Sequence, residues 1–530
     1  MSAGLPSLLS QLQQAPAAAA VQFALAGLLL AALLPATALI AWARRRDARR
    51  LDLAAAGGCM LLGLAVRGAV EPFPGDIRTA LDMGFMIGGP SHMWAAGYSL
   101  IQHALLAVFP ASLETVARAN VVLDTLSVGL VYSLARRLLR DPAAAAAAAA
   151  VYAFHPVAAR FAASDSAHVL VTFCYLTALW LLGVWREEGG PRALLAAAGW
   201  WALACNARME AVIFAPAAAL IAANFASERP ARPAHAAAAC LAAAPFLVFP
   251  GAEILRHLLD NHGAFNPAGL FKNHFFMSPE SPAPFAAAAV LGIGLSLRRS
   301  PWKLAALASA IALVALPSFG GGADDQTSYR YFLPSFALLS VLAGQGAAGA
   351  LGHFAAKRPR LLAHPGYLAF IVLLIAALSA PWRGFLRKTW THQLEFAFAR
   401  RHLSGVPDGC AIVRRARYRS DSGLELSPTL SASMGLRHRW IDTEEFLKAP
   451  SHEGCAVYYQ AASCHARDMT TDSPEARREF QILPECEQMR RRFHLEPLAE
   501  ARLPAVPYSA EVYTVDPVPV GFYRITQREI

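Results

Sequence analysis

The sequence predicts a polytopic α-helical membrane protein with about twelve transmembrane helices and a C-terminal extracytoplasmic α/β domain. Three observations lead there. Of 530 residues, 56% are hydrophobic and 16% are charged, against about 25% charged in soluble domains; the mean hydropathy is +0.37. Apolar stretches near 20 residues, the length that crosses a bilayer as a helix, recur through the first 382 residues. The loops between them alternate in their content of Lys and Arg, which marks orientation.

Twelve spans are read, at 17–43, 51–70, 115–138, 143–162, 166–185, 193–207, 209–226, 235–252, 284–298, 302–318, 330–352 and 365–382. Several are alanine-rich, Ala143 to Ala150 most of all. Alanine is only weakly hydrophobic, but small residues let helices pack closely in lipid. The first span lacks a basic n-region and a small-residue cleavage site, so it reads as a retained helix.

Basic residues gather in every second loop: Arg44–Arg46 with Arg49 and Arg50; Arg136, Arg137 and Arg140; Arg186 and Arg192; Arg229 and Arg232; Arg298, Arg299 and Lys303; Lys357, Arg358 and Arg360. These loops are read as cytoplasmic. The net charge of +10 is therefore topogenic, and nucleic-acid binding is excluded as a reading because no motif for it is present. The N-terminus, the loops 71–114 and 253–284, and everything after Pro381 are then outside. Within 71–114, Ile77, Leu81, Gly84 and Phe85 share one helical face, and Trp94 to Phe109 is apolar but short; both read as interfacial helices.

From about Arg383 the composition turns to mixed charge. The segments AIVRR, CAVYYQ and GFYRIT read as strands and 474–493 as a helix. About 145 residues are enough for one domain. The chain thus divides into an extra N-terminal helix (1–50), a membrane domain (51–382) and the α/β domain (383–530). Four cysteines, Cys59, Cys174, Cys205 and Cys240, fall in apolar spans as small hydrophobes. The other four are Cys410, Cys455, Cys464 and Cys486. Cys455 is expected to pair with Cys464, nine positions away across a strand and loop.

The candidate functional residues lie on the outside. Asp76 follows Pro74–Gly75 in the stretch EPFPGDIRTALDMG; it reads as a helix N-cap or as a general base. Glu71 and Asp82 are its rivals, with Glu71 alternatively pairing with Arg67. Asp165, between Ser164 and Ser166, caps a tight turn or joins Asp76 in a carboxylate or metal site. In CNARMEAV, Arg208 and Glu210 form an ion pair, or Arg208 grips a phosphate with its planar fork. In DDQTSYRYFLP, Arg330 and Tyr331 enter a helix from the outside, against the usual charge trend; a phosphate or Asp324 and Asp325 would balance Arg330. Lys272 and His103 are further candidates for substrate contact. The histidines are too scattered to define a metal site, so no cofactor is assigned, and a divalent metal stays open.

With those residues in view, the chain resembles the GT-C superfamily of polyprenyl-phosphate-sugar-dependent glycosyltransferases, in the branch of protein O-mannosyltransferases and bacterial aminoarabinose transferase. The resemblance runs from about Leu51 to Pro381. It rests on EPFPGDIRTALDMG, HMWAAGYSLIQHALLAVF, RANVVLDTLSVGLVYSLARRLL, FHPVAARFAASDSAHVLVTFCYLTALWLL, NARMEAVIFAP and SYRYFLPSFALLSVLAG in that order. It differs in lacking an Asp-Glu doublet in the first loop and in having one helix ahead of the usual first. The resemblance implies Asp76 as base, Asp165 as the carboxylate after the third core helix, and Arg330 with Tyr331 at a lipid phosphate. It further implies inverting transfer from a polyprenyl-phosphate sugar to an acceptor, whether lipid, glycan or protein, at the outer face of the inner membrane. A twelve-helix secondary transporter, or a protein that binds lipid-linked glycans without turnover, is the alternative. A transporter would carry ionisable residues near span centres and related halves.

Overall fold

The structure, a computed structural model, describes residues 16–44, 50–72, 96–110, 112–225, 233–260, 280–316, 326–355, 365–414, 438–450, 455–461, 464–467, 482–506 and 512–526. Its helical part comprises α1 (Pro16–Arg44), α2 (Arg50–Gly68), α3 (Ala96–Val108), α4 (Leu113–Leu139), α5 (Pro142–Phe154), α6 (Pro156–Ala162), α7 (Ala167–Glu188) and α8 (Pro191–Ala207). It continues with α9 (Phe214–Asn224), α10 (Pro233–Asp260), α11 (Ala283–Arg299), α12 (Pro301–Ala315), α13 (Leu333–Ala355) and α14 (Pro365–Ser379). Each expected span is helical over most of its described residues. By length and apolarity, six helices among the described residues suit a membrane crossing, or seven if α5 and α6, bent by 61° at their junction, count as one. Helix α10 extends through Asp260, beyond the expected loop start at Glu253.

The alanine-rich α5 is the centre of the bundle rather than a lipid-facing span. Ala145 through Ala150 are fully buried, so the helix contributes packing surface and needs no greasy exterior. Helix α13 lies directly on it: a Cβ on Gly344 would sit 2.5 Å from the Ala144 carbonyl oxygen. The same helix crosses α11 equally closely, since a Cβ on Gly346 would fall 1.8 Å from the Ala288 oxygen. Small residues thus set the helix separations here.

The break between α5 and α6 leaves the last carbonyls of α5 without helical partners. Arg67 from α2 fills this gap. Its Nη1 donates to the Ala153 oxygen at 2.8 Å and its Nη2 to the Tyr152 oxygen at 3.3 Å. Its Nε donates to Oδ2 of Asp124 in α4 at 2.5 Å, and the Tyr152 hydroxyl donates to the other carboxylate oxygen at 2.6 Å. Both Arg67 and Asp124 are fully buried. The pairing of Arg67 with Glu71 is therefore corrected: the Glu71 side chain is exposed, and the neighbouring helix supplies the carboxylate.

After α14 a 3-10 helix (Ala380–Arg387) leads to α15 (Thr391–Leu403) and a sheet of β1 (Ala411–Arg414), β2 (Arg439–Asp442), β3 (Val457–Ala461), β5 (His494–Leu503) and β7 (Val518–Thr526). The order is β2-β1-β3-β7-β5, with β1 parallel to β2 and β3, and β7 antiparallel to β3 and β5. The pair β4 (Ala466–Arg467) and β6 (Val512–Tyr513) forms a separate small sheet. Alternation along β1 sends Cys410 and Ile412 into a cluster with Ala399 and Leu403 of α15. Ala411 and Val413 face Phe446 of α16 (Thr443–Lys448) and Met489 of α17 (Pro484–Arg492). Helices cover both faces, so every residue of β1 is buried. The strands expected at AIVRR, CAVYYQ and GFYRIT are present. Of the helix expected at 474–493, the part 474–481 lies outside the described residues and α17 supplies the rest.

The disulfides are Cys410–Cys455 and Cys464–Cys486, with Cα separations of 5.5 and 5.9 Å. The expected Cys455–Cys464 bridge is thus corrected. The five-residue strand β3 lies between those cysteines, and at about 3.3 Å per residue it carries their ends too far apart. Cys455 instead meets the strand beside it, and Cys464 meets α17. Replacing Cys464 and Cys486 together by serine is expected to cost the sheet region about 2–4 kcal/mol. Thermal unfolding under non-reducing conditions checks it, and an unchanged midpoint would contradict it.

Candidate functional site

The site is assembled where apolar helices stop and polar residues begin. Helix α6 ends at Ala162, and the turn Ser164-Asp165-Ser166 leads into α7. Ser166 is the N-cap: its hydroxyl accepts from the His168 amide and lies 3.2 Å from His168 Nδ1. Asp165 is fully buried. The turn is clamped from outside itself. Asn120 Nδ2, in α4, stands 2.8 Å from the Ser164 oxygen and 3.1 Å from that of Ser166. The Tyr98 hydroxyl, from α3, donates to the Asp165 oxygen at 2.7 Å and accepts from Asn120. Two side chains therefore hold three successive carbonyls, which fixes where the Asp165 carboxylate begins.

Arg208 stands at the next break. Helix α8 ends at Ala207, Arg208 takes an extended conformation, and a 3-10 turn follows at Met209–Ile213. Extended backbone at this point lets Arg208 and Glu210 lie side by side, with Nη2 to Oε1 at 2.5 Å and Nε to Oε2 at 3.2 Å. The pair is bidentate, the geometry of a strong charge-assisted contact. Arg208 Nη2 also donates to the Tyr331 hydroxyl at 3.4 Å.

Tyr331 is the meeting point. It lies on a 3-10 turn, Gln326–Phe332, just ahead of α13. The Arg208 guanidinium carbon is 5.6 Å from its ring centroid and that of Arg330 is 5.2 Å away. The ring of His168 meets it edge-on at 4.4 Å. Two guanidinium groups thus flank one aromatic ring in a partly buried setting, with the Glu210 carboxylate beside Arg208. Such a region suits an anion.

Of the residues singled out from sequence, the structure brings together Arg208, Glu210, Arg330 and Tyr331, with the Asp165 turn joined to them through Ser166 and His168. Glu71 contributes backbone: its oxygen accepts from Arg160 Nη1 at 2.8 Å. Arg160 also donates to the Lys388 oxygen at 2.9 Å and lies over the Trp390 ring at 5.1 Å, so the start of the first loop, α6 and the approach to α15 converge. Asp76, Asp82 and Lys272 lie outside the described residues, as does the side chain of His103 on α3. Among the described residues no cluster of three or more His, Cys, Asp or Glu is placed to hold a metal ion.

Sequence reasoning did not single out His168, Asn120, Tyr98 or Arg160. A signal was available for three of them, because polar residues inside apolar helices need a partner or a task. His168, Asn120 and Arg160 are each buried.

Residues 95–250 match the family model described as dolichyl-phosphate-mannose-protein mannosyltransferase. No curated protein matches the sequence. The crystal structure of ArnT from Cupriavidus metallidurans bound to undecaprenyl phosphate aligns at a TM-score of 0.50 and 11% identity, over 89% of this chain and 97% of that one. The apo form of the same protein gives the same values. The cryo-EM structure of the arabinofuranosyltransferase AftD from Mycobacteria aligns at 0.47 and 14% identity, over 91% of this chain and 40% of its own length. The fold is thus shared with ArnT, and the resemblance to GT-C glycosyltransferases read from the sequence is borne out.

Proposed function

We propose that this protein is an inverting glycosyltransferase that moves a sugar from a polyprenyl-phosphate donor to an acceptor at the outer face of the inner membrane. The observation that carries this reading is the convergence of Arg208, Arg330 and His168 on Tyr331 beside the clamped Asp165 turn. A sugar on a lipid phosphate has a good leaving group. It needs cations to hold the phosphate as charge develops, and it needs no acid. The acceptor hydroxyl or amine needs a base, and Asp76 is the residue assigned to that role. The family match, and the undecaprenyl phosphate bound to the protein of the same fold, support the donor class. Two disulfides in the C-terminal region fit an oxidising compartment and hence the outside assignment.

The transporter alternative expects ionisable residues deep in the spans, and Arg67 with Asp124 is such a pair. Both are fully buried and mutually bonded, which is the state of a structural crosslink rather than of groups exposed to a passing substrate.

In the protein reconstituted with a polyprenyl-phosphate sugar, Arg208→Gln is expected to weaken donor binding and transfer by about 10- to 150-fold, the worth of a hydrogen bond to a charged group. The double replacement Arg208→Gln with Glu210→Gln removes the carboxylate left without its partner, and it should not restore donor affinity. Unchanged donor affinity in a folded Arg208→Gln protein would reduce Arg208 to a helix-junction ion pair and remove the phosphate assignment.

A further inference from the structure

A groove of about 970 Å³ runs along the bundle between α1, α8 and α10. Its origin is sequence-level. Helix α8 turns Ala193, Ala196 and Gly199 toward it, and α10 turns Ala242 and Ala243. Leu195 of α8 and Phe246 of α10 flank these small residues, and α1 forms the third wall. Two polar contacts help to fix helix α1. The Trp200 indole donates to Thr37 Oγ1 at 2.7 Å, and Arg44 pairs with Glu187 and Glu188 at 2.8 and 2.7 Å. Leu29 and Leu33 of α1 are buried beside Gly199, whereas Leu28 and Leu39, both about two-thirds exposed, form the rim.

The mouth of the groove is charged. Glu188 and Arg192 line it. Glu188 is engaged by Arg44, whereas Arg192 is exposed and forms no ion pair among the described residues. This is also the end where Arg44, Arg136 and Arg137 gather, against Glu187, Glu188 and Asp52, and by the alternation of basic loops it faces the cytoplasm. An apolar slot opening to lipid, with Arg192 exposed and unpaired among the described residues at its cytoplasmic mouth, matches the chemistry of an anionic phospholipid.

We propose that this groove binds one anionic membrane phospholipid, its acyl chain along α1 and α8 and its phosphate at Arg192. The site is separate from the Tyr331 cluster and independent of the donor assignment. It gives α1, the helix that precedes the resemblance to known transferases, a role: it forms the outer wall of a lipid site that ties the protein to the charged leaflet.

The test is native mass spectrometry of the full-length protein released from nanodiscs containing phosphatidylglycerol and phosphatidylcholine. One phosphatidylglycerol per chain should be retained. Arg192→Gln should lower its retention about fivefold and Arg192→Glu about thirtyfold, from roughly 1 kcal/mol per basic charge at the anionic surface. Ala32→Phe, on the groove side of α1, should displace both lipids alike. Retention unchanged in all three variants would overturn the proposal. So would a dimer, free of groove lipid, that Ala32→Phe dissociates, because the groove would then be a subunit interface.

Discussion

Replacing Arg67 by methionine is expected to destabilise the helical body by about 3–5 kcal/mol, because it strands a buried carboxylate. The Asp124 side chain has no exposure, and its two oxygens are taken by Arg67 and the Tyr152 hydroxyl. Removing the guanidinium leaves that carboxylate charged in an apolar surround, and it also frees the Ala153 and Tyr152 carbonyls at the end of α5. Water cannot take over these groups inside the bundle. The double replacement Arg67→Met with Asp124→Leu removes the stranded charge and should recover most of the loss, since apolar residues commonly replace a buried pair without penalty. The α5 carbonyls stay unpaired in both variants, so the difference between them isolates the electrostatic part. Thermal unfolding of the detergent-solubilised protein measures both. A single variant that melts with the wild type would mean that Asp124 is held neutral and that Arg67 is not its counter-charge.

The contrast between Arg67 and Arg208 explains what the sequence could reveal. Arg208 was legible because it interrupts apolar sequence two positions from Glu210, and the local ion pair is present with those partners. The Asp165 turn was legible for the same reason. Arg67 has an acidic residue four positions on, yet its partner lies 57 positions away on α4. Nothing in linear spacing ranks those two carboxylates. The disulfides failed on the same ground, since Cys410 and Cys455 meet only because β1 and β3 are neighbours. The alanine run misleads in the other direction. Its low hydrophobicity suggests a weak span when lipid contact is assumed. The structure removes that assumption by surrounding α5 with α4, α13 and α14, where smallness is what the packing requires. Helix positions were therefore readable from apolar length, whereas long-range partners were not. His168 belongs to the second kind: its proximity to Tyr331 joins elements that the sequence separates by some 160 positions.

Asp76→Asn is expected to lower the transfer rate by about 10²–10⁴-fold, the usual contribution of a positioned general base, while donor affinity stays within about twofold of wild type. The split between the two readouts follows from the chemistry. In the proposed reaction the donor would be held by its phosphate and by its polyprenyl chain, neither of which interacts favourably with a carboxylate. The base acts on the acceptor, whose proton must leave as the new glycosidic bond forms, and asparagine of the same shape cannot take it. The other acidic residues make weaker candidates. Glu71 has an exposed side chain and serves Arg160 through its backbone oxygen, so Glu71→Gln should leave turnover near wild type. Asp165 is buried in a turn whose three carbonyls are fixed by Asn120 and Tyr98, a setting that suits a fixed charge orienting its neighbours better than a group that must exchange protons with the acceptor. Steady-state assays of the purified variants, with donor binding measured separately, distinguish these roles. If Asp76→Asn turns over like the wild type while Asp82→Asn does not, the base lies six residues further along the sequence. If neither matters, proton removal by Asp76 or Asp82 is excluded, and the cluster around Tyr331 would have to act on an acceptor that arrives already deprotonated.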